Sequence, residues 1–308
     1  MKIVTSSKSG MSSFLAKQLY GRATIINRLS SYLLIAPLVL VMLMFFGIPL
    51  VAIMVVSFMD FDGFSTIREF TWLNYTEFFE SSLTWKLYYQ TFRTALIVWL
   101  ICLGIALTVS NFLVFHVKSL MVQIGLLLLC TIPFWTSSII RMISWLPVLG
   151  RNGLINSSLM SVGIIDEPID DLIYSNLAVV IVYVQSFSLF MIVPIFNSMV
   201  RISPDIVEAA KEAGASRWQV LTNIVIPLSK SGIALGTIFI IALVMGDFFI
   251  IRVMGGGQSS NVAMAISNQI GSFQYPPAAA ASIIFLCVIL LIISAMLRVV
   301  DVRKEVLS

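Results

Sequence analysis

Residues 203–227, SPDIVEAAKEAGASRWQVLTNIVIP, form the longest charged and amphipathic stretch of this otherwise apolar chain. The stretch separates two apolar runs, each of which is long enough to cross a membrane. A water-facing segment of this kind is able to fold locally and contact another molecule, or to lie as an ordinary amphipathic loop on lipid headgroups. The residues alone leave both interpretations open.

The beginning of this stretch predicts a short helix that ends in a tight turn. Ser203 suits an N-cap, Pro204 suits the first helical position, and Asp205 complements the positive end of a helix. We expect the helix to run to about Ala213 and Gly214 to end it in the left-handed conformation.

One face of the predicted helix carries small and apolar side chains, which let a partner backbone approach closely. They are Ile206, Ala209, Ala210 and Ala213. Glu208 and Lys211 project toward another face and are close enough in sequence to pair. We expect Ser216 to cap a second helix and Pro227 to end that helix before the next apolar run.

The whole composition indicates a helical membrane protein. Of the 308 residues, 59% are hydrophobic and 11% are charged, whereas soluble globular domains carry about 25% charged residues. The net charge of +4 is too small to suggest a nucleic-acid partner. Six apolar runs reach the roughly 20 residues that a membrane helix needs. These predicted spans cover residues 33–58, 94–115, 120–145, 177–199, 233–251 and 278–300.

Basic and acidic residues alternate along the segments that connect these runs. Lys and Arg outnumber Asp and Glu in the N-terminal segment, in the 201–231 loop and in the C-terminal tail from Arg298, whereas Asp and Glu outnumber Lys and Arg in the loops after the first and third runs. Because cytoplasmic loops are enriched in Lys and Arg, we expect both termini and the 201–231 loop to be cytoplasmic. The predicted regions are a cytoplasmic tail (1–30), a first transmembrane helix with an external loop (31–90), a core (91–300) containing the cytoplasmic loop 201–230, and a second tail (301–308).

The spacing Glu-Ala-Ala, three residues, Gly, nine residues, Ile, one residue, Leu, Pro resembles the EAA loop of permease subunits in binding-protein-dependent ABC importers. The matching positions are Glu208, Ala209, Ala210, Gly214, Ile224, Ile226 and Pro227. Ile226 replaces the usual Leu, which conserves apolar character. The resemblance implies the six-helix type I importer permease fold (MetI-like), with the helix around Glu208 docking into an ATP-hydrolysing subunit.

The same resemblance implies the partners and the location. It implies two ATP-binding subunits, a second permease subunit, an external solute-binding protein and the inner membrane of a bacterium. ATP and Mg would be bound by the partner subunits, so this chain is expected to bind no cofactor and to have no catalytic or metal site.

Two further segments resemble permeases of the spermidine/putrescine importer group, namely residues 149–156 (LGRNGLIN) and 254–258 (MGGGQ). That group also includes importers of opines, aminoalkylphosphonates and ferric iron. A small cation such as a polyamine is the expected cargo.

Asp247 lies within the fifth predicted span, where a bare carboxylate is costly and should face protein or water. It predicts an acidic contact for a cationic cargo along the translocation path, or a structural ion pair or hydrogen bond to a neighbouring helix. Two other classes of protein would show different sequence features. An ion-gradient-driven secondary transporter would show more intramembrane acids or an inverted repeat, and an intramembrane enzyme would need paired catalytic groups that we do not find.

Overall fold

The computed structural model describes residues 34–63 and 65–299, with side chains described as far as residue 298. This part of the chain is helical apart from one short antiparallel hairpin. The chain divides into two compact units, with the boundary between Val56 and Ser57. The predicted tails at 1–30 and 301–308 lie outside the described residues.

The first predicted span is confirmed as a helix, α1, which covers Leu34–Ser57. Its 24 residues give a length of about 36 Å, enough for a hydrocarbon core of about 30 Å. One π-helical turn interrupts α1 at Leu43–Gly47, where the Ile48 N–H donates to the Leu43 carbonyl. Pro49 follows directly, and it has no N–H to continue the regular ladder.

The second unit begins with a hairpin in the region that the sequence assigns to an external loop. Strands β1 (Met59–Phe61) and β2 (Thr66–Phe70) pair antiparallel. The buried Asn74 side chain, on the following helix α2 (Leu73–Glu80), donates to the carbonyls of Ser57 and Met59 at 3.0 and 2.8 Å. These bonds fix the helix against the start of the hairpin.

The remaining helices follow in chain order. They are α3 (Ser82–His116), α4 (Leu120–Trp135), α5 (Ser138–Ile143), α6 (Leu146–Leu149), α7 (Leu154–Ser161), α8 (Asn176–Met199), α9 (Pro204–Glu212), α10 (Arg217–Leu228), α11 (Lys230–Gly246), α12 (Phe249–Met254), α13 (Val262–Gly271) and α14 (Tyr275–Val299).

Helices α3, α8 and α11 form the centre of the unit. Fully buried residues such as Val98 and Val182 fill the space between them. Helices α8 and α11 approach so closely at Gly232 that an added Cβ would overlap the Pro194 carbonyl oxygen. Glycine at this position therefore permits the two helices to pack backbone against backbone.

Four of the described helices are long and apolar enough to cross a membrane, and the number rises to six if each of two bent pairs counts as one span. The predicted spans at 177–199 and 278–300 correspond closely to α8 and α14. The predicted span at 94–115 is part of the much longer α3, which begins after the N-cap Ser81.

Two predicted spans are wrong as single straight helices. The run 120–145 bends by 89° between α4 and α5, because the Pro133 turn is followed by extended backbone at Thr136. The run 233–251 breaks at Asp247, whose backbone is extended between α11 and α12. The uncharged segment after this run, interpreted from the sequence as a loop, contains the ten-residue helix α13.

Candidate functional site

The first candidate site is the segment that carries the Glu-Ala-Ala pattern, here called the EAA segment (residues 203–228). Its helix α9 begins with Pro204 at the first position, after Ser203 in an extended conformation. The Ser203 hydroxyl donates to the Asp205 carboxylate at 3.3 Å rather than capping a backbone N–H. The predicted helix start is therefore confirmed in position, and its predicted side-chain cap is absent.

The end of α9 forms the left-handed turn expected at Gly214, which has φ +85°. The Gly214 N–H donates to the Lys211 carbonyl and the Ala215 N–H donates to the Ala210 carbonyl, both at 3.0 Å. These two bonds constitute a Schellman motif. A β-branched side chain is strongly disfavoured at this backbone geometry, so the turn depends on glycine.

The two faces of α9 have different environments. Val207 is buried toward the rest of the unit and Ala210 is half-buried. Ile206, Ala209 and Ala213 are exposed, so three of the four residues of the predicted small-residue face point away from the bundle. Exposed small and apolar side chains of this kind leave a surface that another protein can cover closely.

Glu208 and Lys211 are close enough in sequence to pair, and the structure shows them apart. Both side chains are exposed, and the two do not form an ion pair. Glu208 therefore stays available on the solvent side of α9.

The second helix of the EAA segment, α10, starts with a complete capping box. The Ser216 hydroxyl accepts from the Gln219 N–H at 3.3 Å, and the Gln219 side chain accepts from the Ser216 N–H at 2.8 Å. This confirms the predicted cap. Trp218 follows on the outer surface with 70% of its side chain exposed.

Pro227 does not end α10 at its own position. The helix widens into a π-helical turn at Leu221–Val225, where the Ile226 N–H donates to the Leu221 carbonyl, and continues to Leu228. The wider turn accommodates a residue that lacks an N–H. The chain then bends by 73° at the buried Ser229 and enters α11.

A cavity of about 290 Å³ separates the inner face of the EAA segment from the end of α3. His116 and Phe115 line it on the α3 side, and Val207 and Val220 line it on the EAA side. The segment is therefore held at its ends and by a few buried apolar contacts, with space behind it.

The second candidate site is Asp247, at the far end of α11 from the EAA segment. Its carboxylate Oδ1 accepts from the Ile250 N–H at 2.9 Å and from the Tyr183 hydroxyl at 3.3 Å. Its main-chain carbonyl accepts from the Asn261 amide at 2.7 Å. Asp247 thus forms the hydrogen bond to a neighbouring helix that was one of the two sequence-based interpretations. The acid lies at a helix break and not deep in a continuous span.

An aromatic cluster continues from this acid along α8. Ring centroids are 5.7 Å apart for Tyr183 and Phe187, and 6.4 Å apart for Phe187 and Phe190. Phe190 also contacts Phe239 of α11 at 6.0 Å. The i, i+4, i+7 spacing of the three α8 residues places them on one face of the helix. No sequence signal indicates that this face meets Asp247, so the cluster was not predicted.

The two segments that resemble the spermidine/putrescine group have structural roles. In the first, the Asn156 side chain is completely buried and accepts from the Ile169 N–H at 3.0 Å. In the second, Gly256 has φ +53° and packs directly on the Tyr174 ring. Both segments fix connections at the end of the bundle opposite the EAA segment.

Among the described residues, no three His, Cys, Asp or Glu side chains lie close enough together to hold a metal ion. Neither candidate site therefore offers a ligand set for a metal.

Comparison with known families decides the class of protein. The family described as "Binding-protein-dependent transport system inner membrane component" matches residues 23–306. The chain belongs to this family. It is a membrane permease of an ABC importer, a transport subunit, and this excludes the gradient-driven secondary transporter as its class.

Permeases from several bacteria are similar in sequence to this chain. The spermidine/putrescine transport system permease protein PotB of Escherichia coli K12 is 30% identical over 253 residues, which cover 81% of this chain and 90% of that protein. PotB of Haemophilus influenzae is 30% identical over 238 residues, covering 74% and 79%. The osmoprotective compounds uptake permease protein GgtC of Synechocystis is 28% identical over 148 residues, covering 47% and 52%.

Solved structures of permeases confirm the predicted fold class. A chain of a bacterial alginate ABC transporter, crystallised in complex with an alginate pentasaccharide-bound periplasmic protein, superposes with a TM-score of 0.70. The match covers 89% of this chain and 94% of that chain at 17% identity, so it concerns the fold alone. The chain is an all-α membrane protein with the importer permease fold.

Proposed function

We propose that this permease is one of two permease halves in the cytoplasmic membrane of a bacterium, and that it imports a polyamine-like cation. An external binding protein delivers the cargo, and two ATP-binding subunits on the cytoplasmic side supply the energy. ATP and Mg belong to those subunits, and this chain binds no cofactor. Both of its termini lie in the cytoplasm.

The outward face of the EAA segment is the observation that carries the docking part of the proposal. Ala209 and Ala213 expose a small-residue surface on α9, and Trp218 is exposed at the start of α10. The Schellman turn at Gly214 and the capping box at Ser216 hold the two helices in a defined geometry. A short, stiff and exposed unit of this kind suits insertion into a groove of an ATP-binding subunit.

The path by which a displacement reaches the cargo runs through α11. Helix α10 joins α11 at the bend around Ser229, and α11 packs on α8 through Gly232. Asp247 marks the other end of α11. When ATP binding closes the ATP-binding subunits, α9 would be drawn inward with them, and the spans would rock between inward-facing and outward-facing states.

The cargo part of the proposal rests on Asp247 and on the relatives. A carboxylate attracts a cation, and aromatic faces such as those of Phe187 and Phe190 add cation–π attraction where water is excluded. The similar PotB proteins are permeases of spermidine/putrescine transport systems. Opines, aminoalkylphosphonates and ferric iron remain the other cargoes of the group that this chain resembles, and for an opine or a phosphonate an acidic contact would be less favourable.

Retention of the ATP-binding subunit tests the docking surface. We expect Ala209→Trp to reduce the amount of ATP-binding subunit that co-purifies with the tagged permease about tenfold. An indole on α9 would prevent close approach of the two surfaces, and a loss of about 1.4 kcal/mol in binding free energy gives this factor. Ser158→Trp is the control. Ser158 is exposed on α7, which precedes α8, whereas the EAA segment follows the opposite end of α8. Equal retention by both variants would place the partner elsewhere.

A further inference from the structure

A groove that the proposed transport mechanism does not use lies between four helices of the bundle. It is bounded by α3, α10, α11 and α14, and its volume is about 480 Å³. The residues that decide its chemistry are Trp99, Pro227, Lys230, Ala234, Thr237 and Met296. It is called the Trp99 groove below.

We propose that the Trp99 groove binds an acyl chain of an anionic phospholipid from the cytoplasmic leaflet, with the lipid phosphate at Lys230. The choice of leaflet rests on the proposed orientation of the EAA segment. The chemistry of the groove rests on the contacts described next.

The wall of the groove offers almost no free polar groups. The Thr237 hydroxyl accepts from the Trp99 indole N–H at 2.9 Å and donates to the Ile233 carbonyl at 2.6 Å, so both polar side chains in the middle of the groove satisfy each other. What remains is a hydrocarbon-like surface. A linear apolar chain fits such a surface without desolvating a polar group.

The single charge of the groove is at one end. Lys230 is exposed at the first position of α11 and forms no ion pair with any described residue. The same end of the bundle carries other basic residues, Lys211 and Arg217 of the EAA segment and Arg298 in the last turn of α14. Basic pockets between membrane helices on the cytoplasmic side favour anionic lipid headgroups.

The groove lies on the face of α11 opposite Phe239. At about 100° per residue, Lys230, Ala234 and Thr237 share one face, whereas Leu235 and Phe239 lie on the opposite face. Phe239 is the residue that contacts the aromatic cluster through Phe190. An occupant of the groove is therefore separated from the proposed cargo path and reaches the groove from the bilayer.

The position of the groove links lipid binding to coupling. Pro227 lies before the bend at Ser229 and Lys230 lies after it, and both line the groove together with Met296 of α14. A chain that fills this space contacts both sides of the bend and resists a change of the 73° angle. Lipid occupancy would then adjust how much of the movement of the EAA segment reaches α11.

Native mass spectrometry of the purified importer complex tests the proposal, with phosphatidylglycerol or phosphatidylcholine of equal chain length added to the detergent. We expect the wild type to retain about five times as many phosphatidylglycerol molecules as phosphatidylcholine molecules. This is the ratio expected from one favourable contact between a Lys side chain and an anionic headgroup. Lys230→Gln should abolish this preference. Ala234→Phe should lower retention of both lipids, because its ring would occupy the groove.

Lys118→Gln is the matched control, since Lys118 is exposed near the same end, between α3 and α4, and does not line the groove. Equal retention of the two lipids by the wild type would overturn the proposal, and so would a loss of preference in Lys118→Gln as large as that in Lys230→Gln. Absence of retained lipid in the complex would also overturn it and would indicate that the second permease half covers the groove. None of these readings requires ATP hydrolysis, so they are independent of whether the EAA segment docks as proposed.

Discussion

At the scale of single residues, Asp247 shows how backbone geometry sets the surroundings of a charged side chain. The extended backbone at Asp247 ends α11 and brings the carboxylate over the first N–H groups of α12, where Ile250 donates to it. Tyr183 adds a hydroxyl from α8. The carboxylate is thus oriented by the fold, and an oriented charge binds a cation with little loss of side-chain entropy.

We expect Asp247→Asn to lower the initial rate of spermidine uptake into proteoliposomes about tenfold, equivalent to about 1.4 kcal/mol. The amide keeps an oxygen that accepts from Ile250 and Tyr183, so the change removes charge and preserves shape. Asp170→Asn is the control, because it removes an exposed carboxylate that pairs with Arg151 at 3.0 Å. Uptake by Asp247→Asn equal to that of the control would assign the acid a packing role alone.

At the scale of elements, two departures from regular helix geometry lie just before prolines. Both π-helical turns in the described residues end two residues before a proline, at Gly47 before Pro49 and at Val225 before Pro227. The wider turn accommodates the proline, which has no N–H to donate, and the helix continues. The sequence analysis placed the end of α10 at Pro227 because it treated proline as a stop, and the structure shows a helix that continues by one further residue.

The contact between α8 and α11 gives a prediction at the same scale. Gly232→Ala should lower the temperature at which the purified complex loses its monodisperse form, because the added methyl meets a backbone carbonyl that cannot move aside, and overpacking costs about 1–3 kcal/mol. The matched variant is Gly104→Ala on α3, where the position of the Cβ is open. Equal thermal behaviour of the two variants would contradict this close packing.

The sequence predicted the local features of the EAA segment well and the long-range features poorly. The turn at Gly214 and the cap at Ser216 depend on neighbouring residues, so their chemistry is readable from a short stretch. The meeting of Tyr183 with Asp247 joins residues that lie far apart in the chain. Hydropathy also treated residues 120–145 as one helix, because the residues on the two sides of the 89° bend are together long and apolar enough for a span.

At the scale of the whole molecule, the two candidate sites lie at opposite ends of one helix. The EAA segment enters α11 at Lys230, and Asp247 terminates it beyond Gly246. The buried centre formed with α3 and α8 holds this helix along its length. A force applied to α9 therefore has a continuous packed route to the acid. The Trp99 groove lies beside the bend on that route between α10 and α11.

The most direct test of this account is ATP-driven uptake by the reconstituted importer carrying Gly214→Val, measured together with ATPase stimulation by the binding protein. Valine at φ +85° is strained by about 1–3 kcal/mol, so the turn opens and we predict that uptake and stimulation are both lost. Gly163→Val, which has φ +74° in equally open space far from the EAA segment, should keep both. Normal uptake with full stimulation in Gly214→Val would contradict the account.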